Sequence, residues 1–571
     1  MSADPTVSSS SAKVRVGLML DSTDVPAWVA RLVELIKAGE HAEIVLLIMN
    51  EGSDAASRED TFRAKLARHW TRLPAVFAQR LADWVYRTLI ARRPRVRDAQ
   101  RPASIGSLIG NVPVIMVQPA RAKWSDRFAD DDLARIRSHE VDVLLRFGFR
   151  ILRGGILQAA HCGVWSFHHG DNLVNRGGPP GFWETMENWP ETGTLLQILT
   201  EELDNGVVLS RSWSGTEPFS VEDNRSAASW KALHFVMRNL EELRRLGSSE
   251  FMRRAAARNT APLFYSRPFH RRPGAWMWCR LVLKKLMQKI STMVENRRCI
   301  RQWQLRYHLT GDLATSLHHY KSIVPPTDRF WADPHVIERD GRYFIFIEEL
   351  PYSSGRGHIS VIAMDRDGRH EPPVPVLERP FHLSYPFVFE HEGRIFMIPE
   401  SAENRTISLY ECTRFPDRWE HRMNLMENVR AVDATLHNDG RLWWMFVNIA
   451  LEPGASTCDE LFLFSSPALL SKEWKPHPLN PIVSDCRNAR PAGPLFEWKG
   501  RLYRPAQNCS KRYGYGFSLN RVDVLTPDDY AETRVTMVLP EWEPGLIATH
   551  TFCRAGRLNI VDAQVLRRRR S

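Results

Sequence analysis

The stretch DGRYFIF, residues 340–346, sets a Gly-Arg turn directly before a run of apolar and aromatic residues. That order reads as a tight turn feeding a β-strand. The design returns as EGRIFMI from Glu392, DGRLWWMF from Asp439, KGRLYRP from Lys499 and AGRLNIV from Ala555. The glycines are 341, 393, 440, 500 and 556, so the spacings are 52, 47, 60 and 56 residues. A period of that size holds four short strands, the content of one propeller blade. Five copies predict a five-bladed β-propeller over residues 301–566; an irregular β-sandwich with unrelated turns is the alternative. In a propeller the innermost strands surround a shared channel, so residues entering them are candidates for a pocket. These are Asp333 in FWADPHV, Tyr385 in LSYPFVF, Asp433 and His437 in VDATLH, Arg490 in RNARPAGPLF and His550 in ATHTF. Glu348 and Glu349 in FIEEL and Glu400 in IPESAENRT add acids between them. Acids with aromatics suit a sugar; the plain alternative is that the Gly-Arg turns and Asp-Pro corners are structural.

Residues 13–215 have another texture. KVRVGLML is a strand run, VPAWVARLVELIKAG has helical spacing of Trp28, Leu32 and Leu35, and AEIVLLIMN is a second buried strand. VDVLLRFGF and GVWSFH are further strands, and RGGILQAAHCG reads as a short helix ending at a glycine. Strands alternating with helices predict an α/β, doubly wound sheet, whose ligands sit at the carboxyl ends of the strands. The segment VWSFHHGDNLVNRGGPPGFWE, Val164–Glu184, falls at such an end and carries His168 and His169. A polar turn would look similar.

Four pieces in order resemble the folate-dependent formyltransferase family. They are Ser166-Phe167-His168, Arg176-Gly177-Gly178, Thr192-Gly193 and Leu203-Asp204-Asn205-Gly206, after a strand–loop–helix stretch at VDVLLRFGFRILRGGILQAAHCG. The resemblance covers residues 13–215. It implies a formyl group carried by 10-formyltetrahydrofolate and passed to an amine, here an amino sugar. His168 would be the donor or general acid/base and Asp204 its partner. The cofactor would lie against Phe147, Gly148 and Phe149 and the segment with Gly193, Leu203 and Gly206. Such a transfer passes through a tetrahedral oxyanion that needs fixed hydrogen-bond donors. Where the family has an asparagine donor this chain has Ser166, and His169 is an extra histidine that could compensate.

The C-terminal half is similar to the five-bladed propellers of the arabinanase, xylosidase and fructosidase glycoside hydrolase clans. It is more similar to the propeller domain of plant glucosamine inositolphosphorylceramide transferases. ADPHV, FIEELPYSSGRGHISVI, HLSYPFVF, MIPES, ARPAGPLF and LYRPAQNCSKRYG carry that resemblance over most of 325–535. It implies a carbohydrate-active or carbohydrate-binding domain; in the plant proteins the recognised glycosyltransferase fold is a separate domain. A hydrolase would need two carboxylates flanking the bond. Asp333 is then the expected base, Glu400 or Glu349 the acid, and Asp433 an orienting group. Arg490, where those clans keep an acid, suits a phosphate or carboxylate on a glycan.

The 571 residues are too many for one core, and 43% hydrophobic with 25% charged is ordinary for a globular chain. We expect residues 1–12 disordered, 13–215 as the α/β domain, 216–300 as a basic helical linker, 301–566 as the propeller and 567–571 as a basic tail. In the linker GAWMWCRLVLKKLMQKISTMVENRR is amphipathic. Packing between the domains is the reading we favour, and peripheral contact of 275–298 with an anionic membrane is the alternative. No apolar run is long enough to span a bilayer and no signal-peptide layout is seen, so a cytoplasmic chain, peripheral at the inner membrane at most, is expected. Eight scattered cysteines show no metal-ligand spacing, so no metal is expected. The net charge of +11 invites an anionic partner, but no nucleic acid is expected, since a tRNA-binding barrel is replaced by the propeller. The expected function is therefore formyl transfer to an amino sugar in surface-glycan biosynthesis. The alternatives are a glycosidase or glycosyltransferase propeller with a degenerate first domain, or a non-catalytic glycan-binding protein.

Overall fold

The computed structural model describes residues 12–51, 73–91, 96–122, 124–261, 264–313 and 316–569. The expected disorder of residues 1–11 and the last two residues of the basic tail lie outside them. The chain forms two compact units. The first comprises Met1–Ser212, Glu217–Lys289 and Glu452–Ala455; the second comprises Trp213–Thr216, Ile290–Leu451 and Ser456–Ser571.

The first unit is α/β. Its sheet uses β1 (Val14–Leu20), β2 (Ala42–Asn50), β3 (Val114–Val117), β4 (Val143–Arg146), β5 (Val164–His168), β6 (Glu191–Ile198) and β7 (Val207–Gly215), in the order β7-β6-β5-β4-β1-β2-β3. β5, β4, β1, β2 and β3 run parallel, and β6 is antiparallel to β5. Alternation along β1 explains the two cores. Val16, Leu18 and Leu20 pack with α1 (Ala27–Ala38), whereas Met19 joins Leu46 and Ile48 on the other face. α2 (Leu73–Val85) follows β2. α3 (Val221–Leu246) starts at Ser220, whose hydroxyl accepts from the Asp223 amide, and stops at Gly247 with φ 75°. It buries Trp230, Leu233 and Leu240 in the same core as α1, so this part of the expected linker is a layer of the first unit. α4 (Ala275–Arg298) completes the helices discussed below. The short helix expected at RGGILQAAHCG is only a 3₁₀ turn, Gly154–Gln158, because Gly154 has φ 77° and two glycines hold no longer helix.

The second unit is all-β, built of five antiparallel sheets. It opens with β8 (Cys299–Leu309). β9 (Arg329–Arg339) and β10 (Arg342–Pro351) begin the next sheet, β11 (Ser384–His391) and β12 (Arg394–Glu400) the third, and β13 (Ala431–Asn438) and β14 (Trp443–Ile449) the fourth. β15 (Arg501–Asn508) lies in the fifth. The last strand, β16 (Leu558–Arg568), pairs along its whole length with β8, so the first sheet is made from both ends of this unit. All five turn glycines have positive φ, between 52° and 87°. At Asp340-Gly341, Glu392-Gly393 and Lys499-Gly500 both turn residues are left-handed, the geometry that joins antiparallel strands with two residues.

Candidate functional site

Three strands of the second unit break register at the same place. β9 skips between Ala332 and His335, β11 between Ser384 and Phe387, and β13 between Val432 and Thr435. The residues in the gaps include Asp333, Tyr385 and Asp433, all non-glycine with φ of 51°, 42° and 53°. Such bulges re-aim side chains, and left-handed non-glycine backbone costs on the order of 1–3 kcal/mol at each position. Just before the bulge, Ala332 faces Glu348 and Ser384 faces Glu400. In the first sheet, Thr549, His550 and Thr551 interrupt the strand facing β16, beside Asp562.

These side chains form one buried cluster. Arg490 holds Asp433 with two bonds, Nε–Oδ2 2.6 Å and Nη2–Oδ1 3.1 Å, and its Nη2 also reaches Glu400 Oε2 at 3.1 Å. Gln507 donates to Asp433 Oδ2 at 2.7 Å. Tyr385 exchanges a bond with Thr435 (2.8 Å) and accepts from the Gly493 amide (2.8 Å), while its own amide donates to Asp333 Oδ2 (3.2 Å). Thr551 donates to Asp333 Oδ1 at 2.9 Å, and His550 Nδ1 meets Asp562 Oδ2 at 2.6 Å under a stacked Trp303 ring 4.1 Å away.

Burial in company with other acids controls the charges. Desolvation, reinforced by Glu348, Asp433 and Asp562 against the pull of His550, lifts Asp333 to about 7. Burial and the neighbouring Asp433, which shares a hydrogen bond with it, push Glu400 well above the carboxylate range despite Arg490. Burial pulls His550 down, but Asp562 and Asp333 outweigh it and raise the imidazole to about 9.

Of the expected pocket residues, Asp333, Tyr385, Glu400, Asp433, Arg490 and His550 are brought together. Glu348 stands at the margin, where His382 Nε2 lies 3.2 Å from its carboxylate. Glu349 does not fit the role of acid. Alternation along β10 turns it away from Glu348, and bonds from His358, Ser360, Arg329 and Trp331 overcome its burial and hold it ionised at about 2. His437 is likewise outside, near Asp439 and Glu497 on the far part of β13. Arg490, expected to receive a phosphate or carboxylate, has Asp433 and Glu400 as its partners within the protein. Asp562, Gln507, Thr551 and Tyr513 were not anticipated; Arg490 stacks over the Tyr513 ring at 4.8 Å. The signal for Asp562 was present, since it closes the last repeat, AGRLNIVD. Among the described residues, Asp333, His550 and Asp562 are the one cluster spaced to hold a metal ion, but their hydrogen bonds to each other and to Thr551 already satisfy them.

In the first unit, His168 Nδ1 lies 3.4 Å from Asp204 Oδ1, the pairing expected of them. The other ring nitrogen, Nε2, is 2.8 Å from the Asn175 carbonyl. Burial opposes a charge on the ring, but Asp204 and that carbonyl outweigh it and raise its pKa. Ser166 Oγ receives a bond from Arg146 Nη1 at 3.1 Å. His169 does not sit beside His168 as a second donor. It stacks parallel to Phe167 at 5.9 Å, and burial with Arg225 nearby lowers it to about 3. Phe147, Gly148, Phe149, Ser166 and His169 line a cavity of about 230 Å³ with Trp28, Arg146 and Arg225, whereas His168 and Asp204 do not line it. Gly193 and Gly206 are packing glycines: a Cβ would meet the Asp171 amide at 2.5 Å and the Ile198 carbonyl at 2.1 Å. Leu203 is in the turn and partly exposed. Among the described residues, Arg146 Nε and His169 Nδ1 of this lining are buried without a hydrogen-bond partner in the protein.

The family described as glucosamine inositolphosphorylceramide transferase 1, N-terminal, matches residues 316–566. A protein of Oryza sativa subsp. japonica named glucosamine inositolphosphorylceramide transferase 1 is 33% identical over 240 residues, which is 42% of this chain and 32% of that protein. The chain thus spans about a third of the length of the curated relatives it matches. Among solved structures, the family 117 glycoside hydrolase Zg3597 of Zobellia galactanivorans aligns over 47% of this chain and 90% of its own at 10% identity and TM-score 0.31. Glycinamide ribonucleotide transformylase 1 from Symbiobacterium toebii aligns over 42% and 88% at 14% identity and TM-score 0.26. At those scores neither likeness carries an argument.

Proposed function

We propose that the chain is a transferase of sphingolipid-type glycan biosynthesis. In this reading the five sheets of the second unit close as a five-bladed propeller, and its buried cluster handles the sugar of a glycosylated inositolphosphate lipid. The observation that carries it is the convergence of Asp333, Glu400, Asp433, Arg490 and His550 from separate sheets, all within the region matched to the transferase family. Carboxylates accept the hydroxyl hydrogens of a sugar, and the Tyr513 ring supplies an apolar face for its C–H groups. Glu400, whose pKa burial and Asp433 raise, is suited to protonate a departing glycosidic oxygen, and Asp433 is fixed beside it by Arg490 and Gln507.

The test is calorimetric binding of a glucosamine-inositol-phosphate headgroup to the full chain. Wild type should bind, Glu400→Ala should weaken binding about tenfold through loss of a hydrogen bond to the headgroup, and His168→Ala should leave it unchanged. A folded wild type that binds no such headgroup refutes the reading.

Formyl transfer from 10-formyltetrahydrofolate to an amino sugar remains a second reading, kept by one observation, the buried His168–Asp204 pair. It ranks second because the Asn175 carbonyl takes the other His168 nitrogen. Binding of a stable cofactor analogue that Asp204→Asn weakens and Asp333→Ala spares would promote it; no binding would remove it.

A further inference from the structure

Two neighbouring helices of the first unit turn apolar rows away from their shared core. α4 buries Trp278, Leu281, Val282 and Lys285. Trp278 Nε1 donates to Asp83 Oδ1 on α2 at 2.8 Å, and its ring meets Tyr86, just beyond α2, at 5.3 Å. At 100° per residue, Trp276, Arg280, Leu283 and Met287 lie on the opposite side of α4. Trp276 is 70% exposed and Leu283 and Met287 are each 59% exposed. α2 repeats the arrangement. Its inner side carries Ala82, while Phe77, Leu81 and Trp84, spaced i, i+4, i+7, are 72%, 52% and 57% exposed.

A helix at a protein surface normally sends its polar residues outward. Here both rows are apolar, and exposed apolar surface of this extent marks an interaction site. The charges nearby identify the partner. Arg80, Arg87, Arg280 and Lys284 are exposed around the rows. From 275 to 294 α4 contains no acid, and the single acid between 73 and 90, Asp83, is turned inward to Trp278. Tryptophans near the ends of such rows suit the boundary between headgroups and acyl chains. No helix among the described residues is long and apolar enough to cross a membrane. We infer that α2 and α4 lie in the plane of an anionic bilayer, apolar rows inserted among the lipids and arginines and lysines on the headgroups. The inference stands independently of the proposed sugar chemistry.

Co-sedimentation of the full chain with vesicles tests it. The protein should pellet with phosphatidylcholine vesicles carrying phosphatidylserine and stay in solution with phosphatidylcholine alone. Leu283→Asp with Met287→Asp should abolish pelleting while circular dichroism and the melting midpoint stay as in wild type. Arg280→Ala should weaken it about fivefold, and salt should weaken it further. Three results would overturn the inference: no pelleting with anionic vesicles, equal pelleting of wild type and the double variant, or a wild-type dimer that Leu283→Asp converts to monomer. The last would make this face a contact between two copies. Should the double variant misfold, Phe77→Asp on α2 gives the same reading from the other row.

Discussion

Asp433 receives bonds from two side chains, Arg490 and Gln507, and is the anchor of the buried charges. Replacing it by asparagine strands the Arg490 cation, so Asp433→Asn should cost about 3–5 kcal/mol in urea unfolding. Glu400→Gln should cost little, because burial and Asp433 already favour the neutral form of the carboxyl and glutamine keeps the shape. A second expectation concerns pH. Asp333 titrates near 7 in the folded state but in the ordinary carboxylate range when unfolded, so folding favours its protonated form. Its contribution is present in acid and is lost as pH rises toward about 7. His550, raised to about 9, stabilises fully below its unfolded value and loses that stabilisation as pH climbs through 9. Asp333→Asn should flatten the fall in melting midpoint between about pH 4 and 7, and His550→Gln the fall toward 9. At this scale the sequence showed which residue types cluster, since acids, Tyr385, Arg490 and His550 recur at strand entries. It could not separate Glu348 from Glu349, because adjacent strand residues face opposite ways and only the pairing with Ala332 fixes which one points inward.

The bulges are the elements that build the cluster, and each is backed by contacts elsewhere. Gly493, with φ 129°, lets the bend before Phe496 pass the Phe552 carbonyl, where a Cβ would stand 2.0 Å away, and its amide donates to the Tyr385 hydroxyl. Gly493→Ala should therefore prevent folding of the second unit, read as loss of its near-ultraviolet circular dichroism. Gly393→Ala, in an exposed turn with φ 72° and no atom within 4 Å of the added Cβ, should cost only about 1 kcal/mol. The turns were legible because glycine before arginine repeats at a regular spacing. The bulges were not, because a skipped residue shows only when the partner strand is known. The fate of α4 divides in the same way: its amphipathic spacing was plain, but whether the second face met protein or solvent depended on α2 and α3.

For the whole molecule, an α/β unit followed by an all-β unit was readable from the different textures of residues 13–211 and 300–571, although the helix at 221–246 belongs to the first core and not to a linker. The four motifs that suggested a formyl-transfer site do come to one region. Their chemistry was not legible, since the Asn175 carbonyl that occupies His168 is a backbone group that no motif displays. Removing residues 558–571 should abolish the cooperative unfolding of the second unit while the transition of the first persists in calorimetry, because β16 carries Asp562 and is the partner of β8.

That pairing also bears on how the chain is made. As the protein leaves the ribosome, Leu305 emerges long before Asp562, the residue it must face. Until β16 has been made, β8 offers an unsatisfied strand edge, the kind of surface on which nascent chains join one another. Asp562, which accepts from the His550 amide, joins the cluster only once β16 has been made, so the yield of folded protein should be sensitive to chaperone supply.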